Sequence, residues 1–299
     1  MQFETIESEP LKVSYHERMP RTACHFPFLI PLLIFLSLST PGYALESALE
    51  LRDIYTQTVD RKLDLPENEQ RYYAELLLYQ LQQAQFNNLP AQYMLMVDRS
   101  PKVQAALLFW LADDGHVELI GASPASTGKK RGYEYFETPL GIFDHNTSNL
   151  DFRAEGTKNK LGLKGYGEKG MRVYDFGWVR ARKTWLPELG EMRLQLHSTD
   201  LLRLEHKLGS VQSKGCIRIP ATLNKLLDHY GVLDAEYERA ISNRNVLWLL
   251  DPAREPTPWS GRYMIIVDSR RTTRPDWSPL PKVQQRAAAL PKPSDNINH

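Results

Sequence analysis

A series of short apolar runs, separated by turn residues, is the feature that most constrains how this chain can fold. The series begins after Pro90 and continues almost to the C-terminus. Where two such runs flank a turn such as Asp113-Asp114-Gly115, the pattern is typical of a β-hairpin. Short strands repeated in this way predict a mainly β fold with some α, built as a β-sandwich or a partly open barrel. The predicted strands are residues 92–98, 105–111, 117–120, 171–176, 192–196, 246–250 and 263–267.

The segment before these strands, residues 45–89, has helical spacing instead. Apolar residues recur there three or four positions apart in two runs that Pro66 separates, which gives each helix one apolar face. These helices are interpreted as packing or positioning elements rather than as a site. A third helix is predicted after Pro220 and is expected to end at Gly231. The first two faces consist of Leu51, Ile54, Tyr55 and Val59, and of Tyr73, Leu76, Leu77 and Leu81.

Residues 1–44 have the three parts of a secretory signal. Two arginines precede a short apolar run at residues 26–38, and Gly42 and Ala44 provide the small residues that a signal peptidase requires. This segment is therefore predicted to be a signal peptide that is cleaved after Ala44. The mature protein is expected in the periplasm or elsewhere in the cell envelope, without a membrane attachment.

A retained signal anchor is the alternative, although the run is shorter than the roughly 20 apolar residues that span a bilayer. The polar residues at the beginning are unusual for a signal, so either Met1 or Met19 can be the true start. Cleavage would remove Cys24 and leave Cys216 as the one cysteine of the mature chain. A lone cysteine in an exported protein has no intramolecular disulfide partner, so Cys216 is a candidate reactive thiol.

Composition limits the partners and the domain boundaries. The 37 basic and 36 acidic residues nearly balance, so there is no electrostatic case for nucleic acid as the main partner. The helical region 45–89 is followed by a main domain predicted at residues 90–251 and by a C-terminal strand extension at 252–268. Residues 269–299 are rich in Pro, Arg, Lys and Ala and are predicted to form a poorly ordered tail.

Two glycine-rich motifs lack the context that nucleotide binding requires. Residues 165–170 match the three-glycine dinucleotide pattern, but strand-like residues follow instead of a helix, so a flexible loop is the interpretation. Gly128-Lys129-Lys130 lacks the earlier glycine and the following Ser or Thr of a Walker loop. The histidines show no paired ligand spacing and Cys216 has no cysteine partner, so a zinc site is unsupported.

Cys216 and His197 form the pair that supports chemistry. Eighteen residues separate them, and His197 ends a predicted strand, where a rigid scaffold can hold a catalytic group. An imidazole can take the proton of a thiol, whose ordinary pKa is about 8.5, and can return it to a leaving amine. Gly215 allows a tight turn and lets a substrate approach the backbone amides. A small buried cysteine that packs as a hydrophobe is the alternative.

Other polar and aromatic residues near this pair carry less weight. His206 is a rival base, although its charged neighbours favour a polar loop or helix face. Either Asp200 or a backbone carbonyl is expected to orient His197. Trp178 and Trp185 either line a peptide groove or, as is commoner for aromatic residues, belong to the core.

Two motifs resemble the active-site signature of L,D-transpeptidases with the YkuD catalytic domain. The first runs from His197, through the fifteen residues from Ser198 to Gln212, to the block Ser213-Lys214-Gly215-Cys216-Ile217-Arg218. The second lies upstream and consists of Ser126-Thr127-Gly128 followed by Glu137-Thr138-Pro139-Leu140-Gly141-Ile142-Phe143. The order, the spacing and the residue types resemble those of the family over roughly residues 92–251.

This resemblance implies the family's β-sandwich-like domain and a cysteine acyltransferase that needs no metal or organic cofactor. Cys216 would attack the L,D peptide bond of a peptidoglycan tetrapeptide stem and release D-alanine, with His197 as base and then acid. The thioester would pass to an acceptor amine, which forms a 3-3 cross-link or attaches a cell-wall protein. Backbone amides at Gly215 and Cys216 would serve the oxyanion, and Arg218 would organise the site or contact a substrate carboxylate. The remaining candidate site residues are Ser213, Lys214 and Ser198.

Two positions depart from the family pattern. Lys214 stands where the family usually has His, and Ser198 stands where Gly is more usual. The charge of Lys214 is expected either to lower the thiol pKa of Cys216 or to face solvent without effect. Three functions therefore stay open: an L,D-transpeptidase, an L,D-carboxypeptidase or amidase on the same scaffold, and a non-catalytic cell-wall-binding protein. The acceptor and the oligomeric state do not follow from the sequence.

Overall fold

The computed structural model describes residues 47–130 and 132–281. The predicted signal peptide, residues 1–44, lies outside the described residues, as do both candidate start sites and residues 282–299 of the predicted tail. Within the described residues, no helix is long and apolar enough to cross a membrane.

Five α-helices occur in the described residues, and the first two lie in the region predicted to be helical. Pro66 directly precedes the second helix and Pro220 directly precedes the third, in keeping with the tolerance of helix starts for proline. Gly231 adopts a φ of +55° two residues after the third helix ends. The helices are α1 (Glu50–Thr58), α2 (Glu67–Gln83), α3 (Ala221–His229), α4 (Ala235–Arg239) and α5 (Arg244–Leu249).

The first sheet contains the strands β1 (Gln92–Asp98), β2 (Ala105–Leu111), β3 (Val117–Pro124), β4 (Gly141–Asp144) and β9 (Tyr263–Val267). They are arranged in the order β3-β2-β1-β9-β4. All seven residues of β1 are buried, because its sheet is covered on both faces. β9 runs parallel to β1, and all the other neighbouring pairs in this sheet, including β4 with β9, are antiparallel.

The second sheet contains the strands β5 (Phe152–Arg153), β6 (Arg172–Arg182), β7 (Leu189–His197) and β8 (Ile217–Arg218), in that order. β6 and β7 form a long antiparallel hairpin, and β8 runs parallel to β7. The register places Leu196 opposite Ile217 and His197 opposite Arg218. The end of β7 therefore lies beside the segment that contains Cys216.

Two apolar layers lie on opposite faces of the first sheet. Between the two sheets, Leu95 of β1 and Leu194 of β7 belong to one buried cluster, together with apolar residues of α1 and α3. On the other face, Met96 of β1 packs with Leu77 of α2 in a second cluster. The predicted β-rich fold with some α is confirmed at this level: two packed sheets with a few covering helices.

The predicted strand at residues 246–250 is wrong, because this segment belongs to α5. Asn243 begins the helix, and its side chain accepts a hydrogen bond from the Asn245 amide at 3.0 Å. Val246 and Leu249 are buried at helical spacing, whereas Trp248 between them is 81% exposed. A five-residue apolar run does not distinguish a strand from a buried helix, and the asparagine cap was the signal that decides.

The C-terminal segments are more closely integrated than the predicted boundaries suggest. Because β9 is bonded on both sides, residues 252–268 complete the sheet of the main domain rather than extend it. Residues 269–281, expected to be poorly ordered, pack onto the second apolar cluster. Trp277 is 8% exposed, and its ring centroid lies 5.9 Å from that of Tyr73. Composition alone missed this single apolar anchor.

Candidate active site

The loop before β8 is held by hydrogen bonds from its own serine and from the upstream motif. Ser213 Oγ accepts a hydrogen bond from the Gly215 amide at 3.0 Å and donates one to the Cys216 carbonyl at 2.5 Å. Thr138 Oγ1 donates to the Gly215 carbonyl at 2.6 Å and accepts from the Gly128 amide at 2.8 Å. The two motifs recognised in the sequence therefore meet at the backbone of one loop.

Close packing explains the glycines at this meeting point. A Cβ atom on Gly128 would lie 2.0 Å from the Phe136 carbonyl oxygen and 3.2 Å from the Cα atom of Gly215. Gly215 has a φ of +139°, in the region that favours glycine, and a Cβ atom there would lie 2.7 Å from Met192 Sδ. A side chain at either position would displace the loop that contains Cys216.

The thiol of Cys216 is protonated in this arrangement. The residue is partly exposed, and its S–H donates to the Arg193 carbonyl on β7 at a distance of 3.5 Å. Desolvation of the sulfur raises the pKa of the thiol above its ordinary range, and the Gln195 amide and the Arg218 charge reduce this effect without cancelling it. The thiol therefore needs a base before it can attack.

The predicted oxyanion donors differ in what they contact. The Gly215 amide is occupied by Ser213 Oγ, so it is not directed at a substrate. Desolvation raises the thiol pKa of Cys216, and the backbone amide of the same residue partly offsets this rise. Of the two predicted donors, the Cys216 amide is therefore the one that Ser213 Oγ does not occupy.

His197, at the end of β7, is 4% exposed and carries a neutral imidazole with a defined tautomer. Its Nδ1 is bonded to the Ser198 carbonyl, which only accepts, so Nδ1 carries the proton and Nε2 is unprotonated. Burial, and then the Arg218 charge, lower the pKa of His197 to about 3. The orienting group is therefore this carbonyl and not Asp200, whose carboxylate accepts from three backbone amides.

Arg218 and Tyr166 connect Cys216 with His197. Burial is the main cause of the lowered imidazole pKa, and the Arg218 charge is the second cause. The same charge partly offsets the rise of the thiol pKa that desolvation causes. The Tyr166 ring stands edge-on to the His197 ring with a centroid distance of 4.8 Å. Burial, and then a charge on Cys216, raise the pKa of Tyr166. The thiol and the imidazole thus share neighbours, although no hydrogen bond joins them among the described residues.

Lys214 is directed to the surface. Its side chain is 59% exposed, and Nζ lies 3.2 Å from a carboxylate oxygen of Glu134. The ammonium also lies 5.6 Å from the centroid of the Tyr135 ring. The cation that acts on the thiol is Arg218, so the structure favours the solvent-facing alternative for Lys214.

A chain of polar side chains that the sequence analysis missed lies beside the pair. The Tyr166 hydroxyl donates to Gln195 Oε1 at 3.0 Å, and Gln195 Nε2 donates to Asp175 at 2.9 Å. Arg193 Nε donates to the same carboxylate oxygen of Asp175 at 2.7 Å. Residues 193, 195 and 197 alternate along β7 and so share one face of the strand. This period-two spacing before His197 was the available signal.

The glycine-rich loop at residues 165–170 contributes to the site, although the sequence predicted only a flexible loop. Gly167 has a φ of +88°, and a Cβ atom there would lie 3.0 Å from Ser198 Oγ. This contact places the loop against the residue whose carbonyl orients His197, and Tyr166 in the same loop covers the imidazole. Close packing therefore explains Gly167, whereas a Cβ atom on Gly165 or Gly170 would meet no atom within 4 Å.

The lower-weight candidates separate clearly. His206 lies in a 3-10 turn (Glu205–Lys207) and borders a cavity with Asp60 and Pro124, away from the contacts of the thiol. Trp178 is 65% exposed, so the expectation that it belongs to the core is wrong. Trp185 is partly buried and packs edge-on against Phe136 at a centroid distance of 5.2 Å.

Among the described residues, no cluster of three or more His, Cys, Asp or Glu side chains is arranged to hold a metal ion. A comparison of the sequence with protein-family models found no match, and a comparison with curated proteins found none either. The geometry of the site and the two sequence motifs are therefore the basis for a functional assignment.

Proposed function

We propose that this protein is an exported cysteine L,D-transpeptidase that acts on peptidoglycan stem peptides. The observation that carries the proposal is that a thiol, Cys216, and a neutral imidazole, His197, whose Nε2 is free of a proton, share Arg218 and Tyr166 as neighbours. The hydrogen bonds of Thr138 to the nucleophile loop add support, because they join both motifs that resemble the YkuD family. Export rests on the signal-like residues 1–44.

Acylation begins when a stem carbonyl reaches the sulfur. The S–H leaves the Arg193 carbonyl and gives its proton to His197 Nε2 while Sγ bonds to the carbonyl carbon. The oxyanion forms beside the Cys216 amide. The C–N bond to D-alanine then breaks, and the amine takes the proton from Nε2. Because the pKa of His197 is about 3, the imidazolium returns this proton readily.

Transfer reverses these roles. An acceptor amine attacks the thioester carbonyl and passes a proton to His197 Nε2. The C–S bond breaks, the sulfur recovers the proton, and an amide bond remains between the stem and its acceptor. An amine of a second stem gives a 3-3 cross-link, and an amine of a cell-wall protein gives an attachment.

The proposal is tested with the purified mature protein and a disaccharide tetrapeptide. Mass spectrometry is expected to show loss of D-alanine together with a cross-linked dimer. Loss of D-alanine without a dimer would identify a carboxypeptidase instead. An absence of any product would favour a non-catalytic cell-wall-binding protein.

Two variants assign the activity to the site. Cys216→Ala removes the nucleophile and is expected to abolish both products. Lys214→Gln changes a neighbouring residue whose ammonium pairs with Glu134 at the surface, so it is expected to retain activity. If Cys216→Ala kept its activity, the site assignment would be wrong.

A further inference from the structure

A β-bulge in β6 determines which of its residues share a face with the thiol. Asp175 lies opposite Gln195 and Trp178 lies opposite Arg193, so three steps on β6 match two steps on β7. Gly177 within the bulge has a φ of +81°. The alternation resumes one position later, which places Trp178 on the face of Asp175 while the next residue packs against the core.

This shift produces an exposed strip on the outer part of the β6–β7 hairpin. The strip is composed of Trp178, Arg180, Arg182 and Arg193, which lie on one face of the two strands. Trp178 is 65% exposed, and the side chains of Arg182 and Arg193 are 67% and 41% exposed. Acidic groups offset two of these arginines, because Glu191 lies opposite Arg180 on the same face and Glu137 lies 3.9 Å from Arg182. Arg193 is paired with a buried carboxylate, and its exposed guanidinium edge beside the indole of Trp178 suits a single anionic group.

Arg193 is the member of the hairpin strip nearest to the thiol. Its carbonyl accepts the S–H of Cys216, so its side chain begins beside the sulfur. The carboxylate of Asp175, which is 1% exposed, holds Nε at 2.7 Å. Within the described residues this is the side chain's one hydrogen bond. The guanidinium is thus fixed along one edge, and its terminal nitrogens can receive a second carboxylate.

We propose that the hairpin strip binds the acidic stem peptide of the donor substrate. Arg193 binds a peptide carboxylate next to the scissile bond, and the exposed indole of Trp178 stacks against the peptide. This inference rests on the proposed function for the identity of the ligand. Its own basis is the exposed guanidinium edge of Arg193 beside the thiol, together with the exposed indole of Trp178. A carboxylate fixed one side chain away from the sulfur would hold the scissile carbonyl within reach of Cys216.

The first test measures binding without turnover. Cys216 is alkylated with iodoacetamide in the presence of a stem tripeptide, which has no D-alanine to release, or of the same tripeptide with its carboxyl groups amidated. The acidic tripeptide is expected to protect the thiol, and the amidated one to require an about tenfold higher concentration, as for loss of one charge-assisted hydrogen bond. Equal protection by both peptides would overturn the proposal without any substitution in the protein.

Variants then locate the recognition. Arg193→Gln is expected to bind the two tripeptides equally, at the level of the amidated peptide, whereas Arg193→Lys keeps part of the preference. Trp178→Ala is expected to weaken both peptides by a similar factor, because stacking does not depend on their charge. Arg71→Gln is the matched control, since Arg71 is an exposed arginine that pairs with one carboxylate on α2. For each variant, the alkylation rate of Cys216 in the presence of peptide is normalised to the rate of the same variant without peptide.

Turnover separates this inference from the proposed function. If the protein releases D-alanine, Arg193→Gln is expected to raise KM more than it lowers kcat. An unchanged KM in that variant, with an unchanged preference for the acidic tripeptide, would refute the inference and leave the transpeptidase standing. Arg193-dependent protection with no product from the wild-type protein would refute the transpeptidase and leave the binding site standing.

Discussion

Arg218 influences the protonation of both Cys216 and His197. Burial lowers its own pKa, but a guanidinium stays charged at neutral pH. Its charge favours the thiolate of Cys216 and disfavours the imidazolium of His197. The first effect eases removal of the thiol proton, and the second makes the protonated imidazole a stronger acid. The same shift makes the neutral imidazole a weaker base. In the proposed reaction Arg218 therefore favours release of the proton from the sulfur and from the imidazolium, but opposes its uptake at Nε2.

The pH dependence of Cys216 alkylation should reveal this arrangement. Alkylation requires the thiolate, and desolvation raises the thiol pKa above its ordinary value of about 8.5. The alkylation rate should therefore show no plateau near neutral pH and should still be increasing when the pH reaches about 8.5. Arg218→Gln should displace the profile to higher pH and raise the pKa of His197 towards its ordinary range. Iodoacetamide rates between about pH 6 and pH 10, and the imidazole NMR signals, measure the two shifts.

Lys214→Gln is the control for that measurement, because it removes a positive charge from the same loop. The ammonium of Lys214 pairs with Glu134 and is largely exposed, so its loss should leave the alkylation profile unchanged. A displacement as large as that caused by Arg218→Gln would mean that the lysine, rather than the arginine, is the cation acting on the thiol.

At the scale of structural elements, one hydroxyl joins two segments of the chain. Thr138 Oγ1 binds the Gly128 amide and the Gly215 carbonyl at the same time, and Thr138 is 1% exposed. These bonds hold Gly215, the residue before Cys216, against the upstream segment. The loop thus takes its position from a contact between distant parts of the sequence rather than from its own conformational preference.

Thr138→Val should loosen this contact at nearly constant volume. It leaves a buried amide and a buried carbonyl without a partner, so we expect the free energy of unfolding to fall by about 2 kcal/mol. Exchange of the Gly128 amide with solvent should also become faster. Urea denaturation and hydrogen exchange measure the two effects. Thr138→Ser keeps the hydroxyl and should stay close to the wild type; equal losses in both variants would argue against the hydrogen bonds as the cause.

The same scale shows what the sequence could predict. β1 and β9 were recognisable because strands covered on both faces become continuous apolar runs. Cys216 and His197 were recognisable by residue type and motif. The period-two spacing of Arg193, Gln195 and His197 was also visible, but their link to Asp175 was not, because it depends on a bulge that sets which residues of β6 face β7. Pairing register arises from contacts between strands and leaves little trace in either strand alone.

At the scale of the whole molecule, a buried ion cluster lies beneath the second sheet. It consists of His145, Asp151, Arg172 and Asp234, whose side chains are all 0% exposed. Arg172 donates to Asp151 at 2.7 Å and to Asp234 at 2.6 Å. Asp151 also accepts the backbone amide of Asp175 at 2.8 Å, which connects the cluster to the strand that supports the candidate site. Removing one charged side chain of the cluster would leave the charge of its partner buried and uncompensated.

His145 is an imidazolium in this cluster. Its Nδ1 lies 2.8 Å from the Leu233 carbonyl, and its Nε2 lies 2.9 Å from Asp151. Both partners accept, so both ring nitrogens must donate. Burial alone would lower the pKa of His145, but the charges of Asp151 and Asp234 outweigh burial and the opposing charge of Arg172 and raise it. The pKa values of His145 and His197, the two buried histidines among the described residues, are therefore shifted in opposite directions.

These opposite shifts should make the free energy of unfolding fall on both sides of about pH 6.5, the ordinary pKa of histidine. The raised pKa of His145 gives stability that is complete below about pH 6.5 and is lost as the pH rises through the folded-state value. The pKa of about 3 for His197 gives stability that is complete above about pH 6.5 and is lost as the pH falls. Urea denaturation from about pH 5 to pH 9 measures both slopes.

His145→Gln should flatten the decline of the unfolding free energy above about pH 6.5, and His197→Gln should flatten the decline below it. If the decline above about pH 6.5 survived His145→Gln, the cluster would not hold a protonated histidine.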